Sequence, residues 1–134
     1  MIRNVSIIIL YDEKKRMLLQ HRDENAERLP GYWAFFGGGM NEGETPEQAV
    51  IRETKEELDY DLDKPQSVWV QEFKGRNTSG TKYVFIEKYD TSKKITQHEG
   101  QDMKWVTFEN IKNLKIIDHD LEVLEFIKNK NLFK

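Results

Sequence analysis

Residues 5–11, Val-Ser-Ile-Ile-Ile-Leu-Tyr, are apolar at every position but one and rich in β-branched side chains. A strand packed on one face would alternate, so this run predicts a central strand covered on both faces. The charged stretch 12–16 makes a turn, and residues 17–22 return as the second strand of a hairpin. Residues 23–31 are polar, carry Pro30-Gly31 and read as a loop. Tyr32-Trp33-Ala34-Phe35-Phe36 is a third strand whose aromatic residues are mainly core, and it delivers the chain to Gly37-Gly38-Gly39, read as a turn. The period then lengthens. At about 100° per residue Val50, Ile51, Thr54 and Leu58 share one face of a helix that starts at Pro46, with Thr45 as N-cap and Gln48 completing a capping box. Strands at 67–73 and 82–89 flank a turn at 75–80, and a strand at 103–107 follows. A last helix, capped by Asp118 or Asp120, docks through Leu121, Val123, Leu124 and Ile127. This order predicts an α/β (α+β) fold, a mixed sheet between helices, in a single domain over residues 1–134.

Composition narrows the partners. A net charge of −3 and a pI near 5.7 give no basic excess for duplex nucleic acid, so any phosphate must be handled locally. The chain has no cysteine, which removes a disulfide framework, a thiolate zinc site and a cysteine nucleophile. His21, His98 and His119 have no zinc spacing and read as surface or capping residues. The apolar run 5–11 is too short for a membrane span and lacks a signal-peptide cleavage site, so the expectation is a soluble, cytoplasmic monomer or homodimer that meets no membrane.

The far end of the first helix poses a physical problem. Glu53, Glu56 and Glu57 stand at i, i+3 and i+4, stacking three carboxylates near the negative end of the helix dipole. Arg52 can reach Glu56 but cannot neutralise all three. A hard divalent cation resolves the repulsion, since Mg²⁺ or Mn²⁺ is held by carboxylate and carbonyl oxygens. A solvated acidic stripe is the alternative. The triple glycine favours the cation, because glycine backbone approaches an ion or a phosphate closely.

Gly38, Glu44 and the run Arg52-Glu53-Thr54-Lys55-Glu56-Glu57-Leu58, at these spacings, closely resemble the signature of the Nudix hydrolases. Thr54 stands where that signature has an aliphatic residue, and Asp59 where it has a glycine; aspartate tolerates the left-handed conformation of a helix C-cap. The resemblance implies an α-β-α sandwich and Mg²⁺-dependent hydrolysis of a nucleoside diphosphate linked to another group. On that likeness Glu53, Glu56 and Glu57 are the catalytic and metal-binding carboxylates, Gly37 or Gly38 lends a carbonyl ligand, and Glu44 and Arg52 brace the set. Glu53 is the choice for the group that binds metal or takes the proton of the attacking water. Similarity to the MutT-like branch further implies Glu99, in Glu99-Gly100-Gln101 before the strand bearing Trp105, as an additional metal ligand, and Arg22 as a substrate contact. Trp69, Phe73, Tyr83 and Phe85 are candidates to stack on a base. That branch reads oxidised guanine with an asparagine near the start of the last helix; residues 117–121 contain none, which argues against 8-oxo-dGTP, although an aspartate or histidine there could still bond a purine edge. Ordinary or oxidised nucleoside triphosphates, nucleotide sugars and ADP-ribose stay open as substrates, and so does a catalytically silent module that binds a small nucleotide.

Overall fold

The computed structural model describes residues 1–75, 77–98 and 100–134. Its centre is the strand expected to be buried twice over, β1 (Val5–Tyr11), all seven residues of which are buried. Odd positions Val5, Ile7, Ile9 and Tyr11 enter one core with Val123, Leu124 and Ile127 of the last helix, α2 (Asp118–Lys130). Even positions Ile8 and Leu10 enter a second core with Val50 and Leu58 of the first helix, α1 (Pro46–Leu58). This division explains the unbroken apolar run, because successive side chains of a strand serve opposite layers. Ser6, the exception, is fully buried and donates its hydroxyl to the Pro46 carbonyl (2.9 Å), tying β1 to the start of α1.

The sheet has seven strands: β1, β2 (Met17–His21), β3 (Trp33–Ala34), β4 (Phe36–Gly39), β5 (Gln66–Lys74), β6 (Ser79–Lys88) and β7 (Asp102–Val106). β1 runs parallel to β6 from Val5↔Lys82 to Tyr11↔Lys88. Its other edge is shared: β2 pairs at the Tyr11 end, and β4 pairs antiparallel from Val5↔Gly39 to Ile8↔Phe36. β2 also pairs with β3 and β7, and β5 closes the far edge against β6. The sheet is mixed and lies between two helices, an α-β-α sandwich.

Several sequence expectations need correction. The triple glycine is not a turn: Gly37, Gly38 and Gly39 are strand residues paired to β1, and the third expected strand breaks at Phe35 into β3 and β4. Ile51 does not pack with Val50 and Leu58; it is 39% exposed, while Ala49 is buried. Neither Asp118 nor Asp120 caps α2, whose N-cap is Ile117 without a side-chain bond. A short 3-10 turn, Asn110–Asn113, precedes it. The start of α1 behaves as its residues require. Thr45 Oγ1 accepts from Gln48 N (3.1 Å), Gln48 Oε1 accepts from Thr45 N (3.0 Å), and Asp59 ends the helix in the left-handed region at φ 52°.

Candidate active site

Pairing β4 to β1 sets the triple glycine beneath the acidic face of α1, and the absence of side chains there makes room for carboxylates. Gly37 donates its N–H to Glu57 Oε1 (2.7 Å), so a residue only 2% exposed has one charge-assisted bond from the backbone. At φ 130° a Cβ on Gly37 would strike the Ser6 carbonyl oxygen, and only glycine fits. A Cβ on Gly38 would stand 2.9 Å from the carboxyl atoms of Glu53. Gly38 thus leaves room for the Glu53 carboxylate, while Gly37 lies close against β1 and meets Glu57 through its N–H.

Arg52 is the hub of the acidic face. Its Nε and Nη2 donate to the two oxygens of Glu44 (2.7 and 2.9 Å), Nη2 also to the Gly39 carbonyl (3.1 Å), and Nη1 to Glu53 (2.9 Å) and, at 3.5 Å, to Glu56. The planar fork matches Glu44 bidentately, which a lysine could not do. The hydrogen bonds from Arg52, aided by the Asn41 N–H, hold the Glu44 carboxyl down at about 2. The reciprocal bond from Glu44 raises the already basic guanidinium further. The sequence reading paired Arg52 with Glu56; the stronger partner is Glu44. At the C-terminal end Lys55 bridges Asp59 (3.2 Å) and Asp61 (3.3 Å), complementing the helix dipole.

Glu53 and Glu57 line a cleft of ≈ 880 Å³ that also takes in Gly37, Gly38 and Gly39. Glu56, 59% exposed, lies outside that lining. Three arginines face the same cleft: Arg3, whose Nη2 lies 3.3 Å from the Cβ position of Gly39, together with Arg22 and Arg28. Burial, then the charges of Arg28 and Arg22, lower the Arg3 guanidinium from its ordinary value, against the opposing pull of Glu53. Three guanidiniums lining one cleft with Glu53 suit a ligand that carries negative charge.

Of the four aromatic residues expected near a base, Phe73 alone lines the cleft. Trp69 stacks on Phe126 (4.4 Å between centroids), and Tyr83 and Phe85 pack in the α1 core. Beyond Phe73 sit Lys82, His119 and Asp120. Lys82 Nζ lies 2.5 Å from Asp120 Oδ1 and 2.6 Å from His119 Nδ1. Burial pulls the Lys82 ammonium below the usual lysine value while Asp120 opposes it. Burial works to raise the Asp120 carboxyl, but His119 and Lys82 outweigh it and hold it low. His119 is therefore no surface or capping histidine, whereas His21 lies flat on Trp33 (4.5 Å).

Among the described residues no three Asp, Glu or His side chains converge as a finished metal cage. Glu99 lies outside the described residues; its neighbour His98 donates its N–H to the Glu57 carbonyl (2.7 Å).

A family model, the NUDIX domain, matches residues 1–127. The chain belongs to the NUDIX domain family. Nucleoside triphosphatase NudI of Enterobacter sp. (strain 638) is 34% identical over 99 residues, 66% of this chain and 70% of that protein. Dihydroneopterin triphosphate diphosphatase of Escherichia coli (strain K12) is 40% identical over 63 residues, 45% of this chain and 39% of that protein. The crystal structure of the MutT protein from Methanosarcina mazei Go1 superposes with a TM-score of 0.84 at 21% identity, covering 98% of this chain and 96% of that one, a likeness of fold. This Nudix hydrolase has no helix, among the described residues, long and apolar enough to cross a membrane. The residues that sequence reasoning missed are Arg3, Arg28 and Lys82 as cleft groups. A buried lysine inside a strand of aromatic and β-branched neighbours was the one signal available for any of them, since lysines are rarely buried unpaired.

Proposed function

We propose that residues 1–134 form one domain that hydrolyses nucleoside triphosphates or related nucleoside diphosphate derivatives, using Mg²⁺ or Mn²⁺. The observation that carries this reading is the cleft whose lining holds both carboxylates and three arginines. One set suits a cation and the other the phosphates it accompanies. The names of the relatives, a nucleoside triphosphatase and a dihydroneopterin triphosphate diphosphatase, agree with a triphosphate substrate.

The donor set fits a hard cation. Glu53, Glu56 and Glu57, with the carbonyls of Gly37 and Gly38 and with Glu99, offer oxygen alone, and the bare glycine backbone leaves space beside them. A bound divalent ion supplies neutralisation of phosphate charge and acidification of water. The chain's own residues do the rest. Arg3, Arg22 and Arg28, which line the same cleft, bind the phosphates, and Arg22 is steadied by its Nε bond to the Arg28 carbonyl (2.7 Å). Glu53 is the proposed acceptor of the water's proton, in a rotamer held by Arg52. Glu44 fixes Arg52, so the brace acts on the ligands without touching substrate.

The test is product analysis with a panel of nucleoside triphosphates, nucleotide sugars and ADP-ribose, with and without Mg²⁺ or Mn²⁺. We expect metal-dependent cleavage of triphosphates. Glu57→Gln keeps an acceptor for the Gly37 N–H, so the fold should survive while turnover falls by at least about 100-fold. Cleavage of no compound in the panel, or an unchanged rate in that variant, would overturn the reading.

A further inference from the structure

Just before β7 the chain is hydrogen-bonded on two sides. Thr96 N and His98 N donate to the carbonyls of Leu58 and Glu57 at the end of α1 (2.8 and 2.7 Å). On the other side β7 pairs with β2 as far as His21↔Asp102, and Gln101 N adds one more bond, to the His21 carbonyl (2.8 Å). The pairing stops there. Gly100 turns the chain in the left-handed region at φ 86°, where a Cβ would stand 3.0 Å from both His21 O and Gln20 Oε1.

One residue past the end of β2, the Arg22 carbonyl is met by a side chain. Gln101 Nε2 donates to it at 2.7 Å and to Glu24 Oε1 at 3.2 Å. Both partners only accept, so the amide must turn its nitrogen, not its oxygen, towards them. His21 Nε2 is close by, but it lies 3.2 Å from Gly31 O and must carry its proton there. Its 3.4 Å contact with Gln101 Nε2 therefore joins two donors, and its 4.0 Å approach to Glu24 Oε1 is too long for a hydrogen bond. The two amide hydrogens of Gln101 are thus committed to Arg22 and Glu24.

These bonds reach the cleft wall without entering the cleft. Arg22 and, from the loop 23–31, Glu27, Arg28, Leu29 and Pro30 line the cleft; Gln101 does not. The loop folds on itself through Gly31 N to Asp23 O (3.1 Å), Tyr32 N to Leu29 O (3.2 Å) and Arg22 Nε to Arg28 O (2.7 Å). Gln101 ties it to a segment 79 residues further along the chain. The carboxylates are held by other means, Glu53 by Arg52 and Glu57 by the Gly37 N–H.

Resting on the phosphate role of Arg22 and Arg28 proposed above, we infer that Gln101 is a positioning residue whose amide holds the arginine-bearing loop against the start of β7 and so sets affinity for the phosphate chain. It acts on binding and leaves bond breaking to the carboxylates. Because Gln101 is exposed, its bonds contribute little to global stability.

The test reads the arginine wall apart from hydrolysis, by calorimetric titration of inorganic tripolyphosphate with Mg²⁺ present. Gln101→Met keeps the length of the side chain and drops the amide, so tripolyphosphate should bind about tenfold more weakly at an unchanged melting temperature, the scale of a lost hydrogen bond. Gln101→Glu keeps the size but aims an acceptor at a carbonyl and a carboxylate, and should weaken binding more than Met does. For a triphosphate that the chain cleaves, KM should rise by the same factors with kcat unchanged. In an Arg22→Ala, Arg28→Ala background Gln101→Met should leave kcat/KM as it is, since it acts through those two residues. Equal tripolyphosphate affinity in the parent and both variants would overturn the inference, as would a parent that binds none. A loss in kcat at constant KM, or an undiminished effect in the double-alanine background, would also overturn it. Cleavage of no triphosphate by a chain that keeps the expected order of tripolyphosphate affinities would remove the hydrolase reading and leave this inference standing.

Discussion

The acidic face of α1 and the first turn of α2 flank one cleft, and they handle charge in opposite ways. Around Arg52, Glu44, Glu53 and Glu56 share one guanidinium while Glu57 takes a backbone N–H, and all of these carboxylates come from residues 44–57. Glu56 and the guanidinium stay in contact with water, so each pair is worth little by itself and the side chains can shift to receive an ion. Lys82 and Asp120 stand 38 residues apart in sequence and meet out of water, where neither can change partner cheaply. An exposed cluster suits binding that neutralises charge. A buried pair suits a fixed wall of the cleft.

Lys82→Met gives the largest effect expected from this contrast. It leaves Asp120 buried without its counter-ion and should cost about 3–5 kcal/mol in urea unfolding. Adding Asp120→Leu should recover most of that loss, because an apolar pair in a buried site is often as stable as the ionic one. A single-variant cost below about 1 kcal/mol would place the pair in the same class as the Arg52 cluster.

The counterpart on α1 is Arg52→Lys, which keeps the charge and loses the fork on Glu44. Turnover should fall about 10- to 100-fold, as for residues that orient metal ligands, while unfolding free energy changes by less than about 1 kcal/mol. A large stability loss with turnover intact would reverse the roles assigned to the two regions.

The two regions should also separate on acidification. Glu44 titrates near 2 in the folded chain against an ordinary 4.5, so its contribution to stability is complete above the unfolded value and is lost as pH falls towards 2. Melting curves of the parent and Glu44→Gln should therefore differ at neutral pH and converge between about 4.5 and 2. A gap that widens on acidification would contradict the brace.

The smallest effect concerns Thr54, which is fully buried on α1 with an Oγ1 that has no hydrogen-bond partner among the described residues. Thr54→Val removes an unsatisfied hydroxyl and should stabilise the chain by about 1 kcal/mol in the same unfolding experiment. Destabilisation of that size would reveal a partner for the hydroxyl.

What was legible in the chain was local. The capping box at Thr45 and Gln48, the left-handed Asp59, the doubly buried β1 and the carboxylate face of α1 all depend on residues within a few positions of one another, where backbone geometry alone sets who meets whom. The family signature is local for the same reason. The triple glycine was misread because glycine-rich sequence looks the same in a turn and in a strand that must lie against carboxylates; only the register of β4 on β1 distinguishes them. Ile51 was misplaced because an apolar residue beside the packed face carries no mark of which neighbour covers it.

Periodicity and fixed spacing encode the layers, the family and the set of acidic groups directly. Which charges share the cleft depends on contacts between distant parts of the chain. Pairing β6 alongside β1 at Val5↔Lys82 and packing α2 over that face brings Lys82 to Asp120 and His119, and the fold carries the scattered residues Arg3, Arg22 and Arg28 to the lining of one cleft. Such contacts are set by chain closure over tens of residues, and no local pattern records them.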